Sequence, residues 1–220
     1  MSTEELTKQS VIDELAFDSR VDASNISVKV DNKTVKLEGT VPTYSSKIAA
    51  ENDAFSIPDV YVVENNLDVK FETPPEIPSD KELKTQLMDI LIWNTSIDTT
   101  KIEIEVKNQW VTLKGDVDSY WKKYLAEEKA LNLHGVVGVT NEIAVVPTEK
   151  MTDEAIAEDI VKSIERNINV IADNVTVKVK DANVTLTGEV RDWGAKNSAF
   201  MAAASAWGVK EVKNKIVISP

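Results

Sequence analysis

The sequence repeats one residue pattern three times, and each copy is centred on a glycine: Gly39, Gly115 or Gly188. Apolar residues stand 13, 11, 9, 4 and 2 positions before each glycine, and a valine stands 2 positions after it. An aromatic residue follows at position +5, alanines at +11 and +15, and an asparagine at +26. A fixed period of this kind is typical of tandem structural units, so the repeat predicts three like modules.

Each copy has the periodicities of a helix, two strands, a second helix and a third strand. Helix starts are indicated by capping residues at Ser2, Ser79 and Thr152, each followed by acidic residues and apolar positions at helical spacing. The two strands before each glycine alternate strictly between apolar and polar residues, which predicts a sheet with one buried and one exposed face. We therefore predict an α+β fold of three tandem αββαβ modules. Each would be a three-stranded mixed sheet with two helices packed on one face.

Proline-containing segments separate the copies, and they divide the chain into modules at residues 1–73, 74–148 and 149–220. A module of about 70 residues has a core of only marginal stability on its own. We therefore expect the modules to dock on one another. The repeated residues are predicted to be structural, with the glycine ending the second strand and the asparagine fixing the backbone as a buried amide. The repeated asparagines are Asn65, Asn141 and Asn214.

The composition argues against chemistry carried by side chains. The chain has no cysteine and a single histidine, so thiolate sites and nucleophile–histidine pairs have little support. Asp116 and Asp118 form an Asp-x-Asp pair, but no Ca²⁺-loop spacing surrounds them. We predict no enzymatic activity, no cofactor and no metal site formed by side chains.

Charge and hydropathy narrow the class of partner. The net charge of −12 disfavours binding to nucleic acid. No apolar run approaches the length of a transmembrane segment, and the N-terminus lacks the pattern of a secretory signal. The expected location is the cytoplasm, or the periplasm if Met1 replaces a cleaved signal.

An αββαβ module with this central glycine and a closing V-x-N-x-[LI]-x-[VI] strand resembles the BON domain, the family of OsmY-type proteins. In this chain the closing strands are residues 63–69, 139–145 and 212–218. The resemblance implies a non-enzymatic protein that binds phospholipid or the cell envelope, acts in osmotic or other stress, or assembles with other proteins. One class of BON-containing protein is associated with potassium.

The third copy departs from the other two, and this difference suggests where a partner binds. Phe200 and Met201 stand where the first two copies have Glu51, Asn52 and the pair Glu127–Glu128, and Trp207 follows the same helix. The third copy is also nearly neutral, with 11 acidic against 10 basic residues, and it places four lysines on the open sheet face. Exposed apolar residues beside a basic face are typical of contact with anionic phospholipid. The candidate interface is Phe200, Met201, Trp207, Lys178, Lys180, Lys213 and Lys215.

Two alternatives remain open on the sequence. In one, Phe200 and Met201 pack against the second copy or a second chain, and the protein is a cytosolic protein–protein assembly module that could form oligomers. In the other, backbone carbonyls bind K⁺ and the protein is a small-cation sensor.

Overall fold

The computed structural model describes residues 2–70, 78–166 and 174–219, and within them the αββαβ order occurs three times. The predicted fold class is confirmed. The boundary predicted between residues 73 and 74 lies outside the described residues, and the one between 148 and 149 stays a prediction. The first module contains α1 (Thr3–Phe17), β1 (Ile26–Asp31), β2 (Thr34–Val41), α2 (Tyr44–Ser56) and β3 (Val62–Val69).

The second and third modules repeat this order, with one interruption in the last strand of the second. The second contains α3 (Asp80–Trp93), β4 (Ile102–Lys107), β5 (Trp110–Val117), α4 (Tyr120–Leu131), and a last strand split into β6 (Gly138–Asn141) and β7 (Ala144–Val145). The third contains α5 (Asp153–Glu165), β8 (Val175–Lys180), β9 (Asn183–Val190), α6 (Trp193–Ala204) and β10 (Glu211–Ile218).

Each sheet has its second strand in the middle, antiparallel to the first strand and parallel to the third. In the first module Val28, Leu37 and Asn65 stand side by side in one row across the sheet. Val28 and Leu37 are buried, so this row faces the helices. The residues before and after them on each strand face outward. The alternation in the sequence therefore predicted the correct face of the sheet.

The alanine pairs of the second helices are fully buried, as expected for helices that lie close to the sheet. Ala126 and Ala130 of α4 are both 0% exposed, and their equivalents in α2 and α6 are equally buried. The helix starts also follow the sequence. The Ser79 hydroxyl accepts from the amide of Glu82, and the Glu82 side chain accepts from the amide of Ser79, which completes a capping box.

The modules meet through their second helices. α6 packs against both α2 and α4. Phe55 of α2 stacks on Trp193 of α6 with ring centroids 6.3 Å apart, and the Ser45 hydroxyl donates to the Asn132 side-chain oxygen at 3.0 Å. The three second helices thus converge at the middle of the molecule, and the outer faces of the three sheets are left open.

Candidate functional site

The outer face of the third sheet carries a group of four lysines that we call the lysine face: Lys178, Lys180, Lys213 and Lys215. All four are exposed. Lys178 and Lys213 pair with opposite sides of Thr185, so they flank the central strand in one row. Strands lie about 4.8 Å apart, so the backbones of these two lysines are about 10 Å apart. Four cations therefore project from one small, regular surface.

The lysine face is little neutralised by its own module. Lys213 lies 3.7 Å from a Glu211 carboxylate oxygen, and both side chains are exposed, so this pair contributes little. Within residues 2–70, 78–166 and 174–219, no ion pair involves Lys178, Lys180 or Lys215.

The same surface is acidic or self-paired in the other two modules. At the row equivalent to Lys178 and Lys213, the first module has Lys29 and Glu64, and the Lys29 ammonium contacts Glu38 at 2.6 Å. In the second module that row begins with Glu105, which contacts Lys114 at 2.9 Å. The exposed positive row is therefore specific to the third module.

Trp207 lies at the end of the sheet where the lysine face begins. It is 71% exposed and follows α6. Three residues later, the amide of Lys210 donates to the Ala182 carbonyl in the turn between β8 and β9. Lys180 immediately precedes that turn. The loop of Trp207 and the lysine face therefore share one end of the third module.

Phe200 and Met201 do not belong to this surface. They lie on α6, which packs on the opposite face of the sheet, and they are half-buried, as expected for the alternative in which they pack against the second copy. The Phe200 ring meets the Tyr124 ring of the second module edge-on at 5.7 Å. The second helices converge, and this convergence covers positions that would be exposed in an isolated module, so these two residues are not free for membrane contact. The predicted interface residues thus divide into a lysine face with Trp207 and an inter-module contact.

The repeated asparagines tie the last strand to the second helix. The Asn141 amide nitrogen donates to the Lys123 carbonyl and to a Glu127 carboxylate oxygen, both at 3.0 Å, and its oxygen accepts from the Ile143 amide at 3.2 Å. Asn65 repeats all three contacts. Asn214 has a 3.4 Å bond to the helix carbonyl and lacks the carboxylate partner, because Phe200 replaces the glutamate. The predicted structural role of the amide fits these contacts.

These contacts predict that Asn141→Ala lowers the free energy of unfolding by about 2 kcal/mol, since it leaves a strand amide and a helix carbonyl unpaired. Asn214→Ala is the matched control. It should cost about half as much, because its helix bond is longer and no carboxylate is involved. Urea denaturation followed by circular dichroism measures both, and equal costs for the two variants would contradict the role given to Glu127.

Asp53 is a buried charge that the repeat pattern did not reveal. It is 7% exposed, lies near Asp18 and Arg20, and has one carboxyl oxygen with no partner among the described residues. Burial is the main cause that raises the pKa of Asp53 to about 6, and the nearby Asp18 charge adds to it. The bidentate Arg20 guanidinium is the main cause that lowers the pKa of Asp18 to about 2. The burial of Asp53 could have been predicted from the sequence, because Asp53 lies between Ala50 and Ala54 on the buried face of the helix.

The structure gives no support for a metal centre formed by side chains. Asp116 and Asp118 contact Lys101 and Lys122 at 3.5 and 2.8 Å. Among the described residues, no group of three or more His, Asp or Glu side chains is placed to hold a metal ion. In the same part of the chain, no helix has both the length and the apolar character needed to cross a bilayer.

Comparison with known proteins identifies the class of protein that this fold defines. The family model of the BON domain matches residues 3–70, 79–147 and 152–220. The chain therefore belongs to the BON domain family, with three tandem BON domains. That family is generally non-enzymatic.

A curated relative narrows the comparison to OsmY-like proteins. The osmotically-inducible protein Y of Escherichia coli (strain K12) is 25% identical over 143 residues, which cover 62% of this chain and 71% of that protein. Among solved structures, two of CdsD, a structural protein of the Type III secretion system of Chlamydia trachomatis, align at 14% identity with a TM-score of 0.28. These alignments cover 96% of this chain and 91% of the solved chain in one case, and both chains completely in the other.

Proposed function

We propose that this protein is a non-enzymatic binding protein of osmotic or related stress, and that its third module contacts anionic phospholipid through the lysine face. The proposal depends on the exposed row that contains Lys178 and Lys213. Neither of the other modules has an unpaired positive row at the equivalent position. The stress role rests on the similarity to the osmotically-inducible relative. A cytoplasmic location would place this face opposite the anionic inner leaflet, and that location is part of the proposal.

The energies are sufficient for reversible binding. A lysine close to an anionic membrane contributes about 1 kcal/mol, so the four lysines contribute about 4 kcal/mol. The rest of the molecule is strongly acidic, but repulsion of distant charges is screened beyond about 8–10 Å at physiological ionic strength. The acidic residues in the first turn of α5 belong to a helix that packs on the opposite face of the sheet from the lysine face. Trp207, at the end of the lysine face, supplies an amphipathic ring suited to the headgroup region.

The test is flotation of the full chain with vesicles that contain phosphatidylglycerol. The double variant Lys178→Glu, Lys213→Glu should bind at least about thirty-fold more weakly than the unmodified protein, because at least about 2 kcal/mol of attraction is lost. The control variant Lys81→Glu, Lys84→Glu makes the same change in net charge on exposed positions of α3 and should bind like the unmodified protein. Equal losses in both variants, or unchanged binding of the Lys178, Lys213 variant to these vesicles, would show that the lysine face has no such role.

Protein–protein assembly is the second candidate, and one observation favours it. Phe17 and Trp93 occupy the same repeat position at the ends of α1 and α3, and they are 85% and 86% exposed. Large exposed aromatic residues at matched positions are typical of contact surfaces. Sedimentation of the full chain distinguishes the two candidates, since self-association lost in Phe17→Ser, Trp93→Ser would support assembly. The K⁺-sensor alternative stays a prediction.

A further inference from the structure

A cleft of about 480 Å³ lies where the second helices of the three modules converge. Its aromatic walls are Tyr44 of α2, Tyr120 and Tyr124 of α4, and Phe200 of α6. Tyr44 and Tyr120 are the first residues of their helices and occupy the same repeat position, so equivalent rings of two modules line one cavity. Its volume lies in the range of sites that hold small molecules. We refer to it as the three-helix cleft.

The Tyr124 ring is held by two neighbouring rings, one of which is Phe200 of the cavity wall. Tyr124 stacks on Trp121 at 5.8 Å and meets Phe200 edge-on at 5.7 Å. Tyr44, Tyr120 and Tyr124 are all half-buried. The face of an aromatic ring is partly negative, so a cavity lined by several rings favours a cation over an anion.

The cleft also carries negative charge. The side chains of Glu127 and Glu128 line it beside the rings. Glu127 accepts a hydrogen bond from Asn141, but an amide carries no charge and leaves the carboxylate uncompensated. After burial itself, Glu128 and Glu127 raise the pKa of Tyr124, and Glu127 also raises the pKa of Tyr44 across the module boundary.

The cation at the rim does not neutralise these carboxylates. Arg20 lines the cleft, but its guanidinium forms a two-pronged contact with Asp18, with Nε 2.9 Å from Oδ2 and 3.0 Å from Oδ1. Lys129 is 3.7 Å from Glu128 in a partly solvent-exposed pair that contributes little, and among the described residues Glu127 has no ion pair. The cavity thus combines aromatic faces with carboxylates and is unfavourable for an anion.

We propose that the three-helix cleft binds a small organic ammonium ion, with the rings of Tyr44, Tyr120 and Tyr124 around its alkylated nitrogen and Glu127 and Glu128 opposite its charge. An alkylated ammonium is weakly hydrated, so it exchanges water for aromatic faces at low cost. A divalent metal ion would instead require a closer set of oxygen ligands than the cleft presents. The site is separate from the lysine face and does not depend on it.

Calorimetric titration of the full chain with tetramethylammonium chloride tests this proposal, with potassium chloride as the comparison. The expected result is saturable binding of tetramethylammonium that potassium at equal concentration does not reproduce. The variant Glu127→Gln, Glu128→Gln keeps the hydrogen-bond acceptor for Asn141 and should weaken binding at least about ten-fold. The control Glu103→Gln, Glu142→Gln removes the same charge from the outer face of the second sheet and should bind normally.

Two further measurements complete the test. Tyr44→Leu removes one ring from the first module and should weaken binding by about three- to ten-fold, with thermal unfolding monitored to confirm that the fold is retained. Flotation with phosphatidylcholine vesicles separates sources of the ligand. If the unmodified protein floats with these vesicles and the Glu127, Glu128 variant does not, the ligand is a lipid headgroup. If the unmodified protein binds tetramethylammonium but does not float, the ligand is a free solute. No saturable binding, or equal affinity in both glutamine variants, would overturn the proposal.

Discussion

Gly115→Ala is expected to lower the free energy of unfolding by about 4 kcal/mol, the largest effect predicted for any single substitution in this chain. Gly115 has φ +117°, and a β-carbon placed on it would lie 1.9 Å from the carbonyl oxygen of Lys101. That oxygen belongs to the main chain just before β4, so it cannot rotate away as a side chain would. Gly39 and Gly188 have the same geometry, with distances of 1.9 Å to the carbonyls of Asn25 and Asn174.

Gly194→Ala is the matched control for this prediction. Gly194 lies in the first turn of α6, and the nearest atom to its added β-carbon is a carboxylate oxygen of Asp192 at 3.1 Å. Alanine is favoured over glycine in helices by about 1 kcal/mol, so this variant should be as stable as the unmodified protein or slightly more. Urea denaturation followed by tryptophan fluorescence measures both, since the second and third modules contain all five tryptophans. A smaller loss in Gly115→Ala than in Gly194→Ala would contradict the steric argument.

The fold could be predicted from the sequence because each local pattern of apolar residues, helix caps and glycine occurs three times. The alternation around Val28 and Leu37 fixes which sheet face is buried, and a shift by one residue would expose the whole apolar set. The glycine marks a backbone position that a side chain would block in every copy. The exposure of the four lysines followed from the same alternation.

The contacts between modules could not be predicted in this way. A repeat shows which positions are equivalent within a module, but it carries no information on how one module lies against the next. Phe200 appeared to be exposed because Glu51 and Glu127 occupy its position in the other copies. The structure instead half-buries all three, two of them through hydrogen bonds to the repeated asparagine. The three-helix cleft was missed for the same reason, since it exists only where the helices of different modules converge.

Asp53 shows a different limit of prediction from sequence. Its position on the helix indicates burial, but the other two copies do not share the residue. The repeat has lysine at this position in the second module and alanine in the third, so comparison of the copies marks it as variable. Helix geometry, however, places Asp53 beside Ala50 and Ala54, which are fully buried. A carboxyl group on that face is either neutral or paired, and here burial and the nearby Asp18 charge raise its pKa and favour the neutral form.

Asp53→Asn is expected to stabilise the protein by about 2–3 kcal/mol near neutral pH. The folded pKa of Asp53 is about 6, raised first by burial and then by Asp18, against a pKa of 3.8 for a free aspartate. A folded pKa above the unfolded value means that the folded state holds the proton more tightly. Ionisation therefore costs stability, with no cost below about pH 4 and the full cost above about pH 6. Asparagine keeps the shape and removes the ionisation, so its advantage should grow across this interval and then level off.

Thermal or urea unfolding of both proteins across about pH 4–8 measures that advantage as a function of pH. The control is Asp68→Asn, which removes the same charge from an exposed position of β3 in the same module. It accounts for the general benefit of reducing the net charge of −12. Asp18 loses its own stabilising contact with Arg20 only as pH falls below about 4 toward its pKa of about 2, so that loss is outside the interval in which Asp53 titrates.

A gain for Asp53→Asn that is the same at both ends of the range, or no larger than that of Asp68→Asn, would mean that Asp53 is not held neutral in the fold. A gain that appears between about pH 4 and pH 6 assigns the titration to this buried carboxyl, because Asp53 is the group whose pKa is raised into that interval by the packing of α2 against the loop after α1.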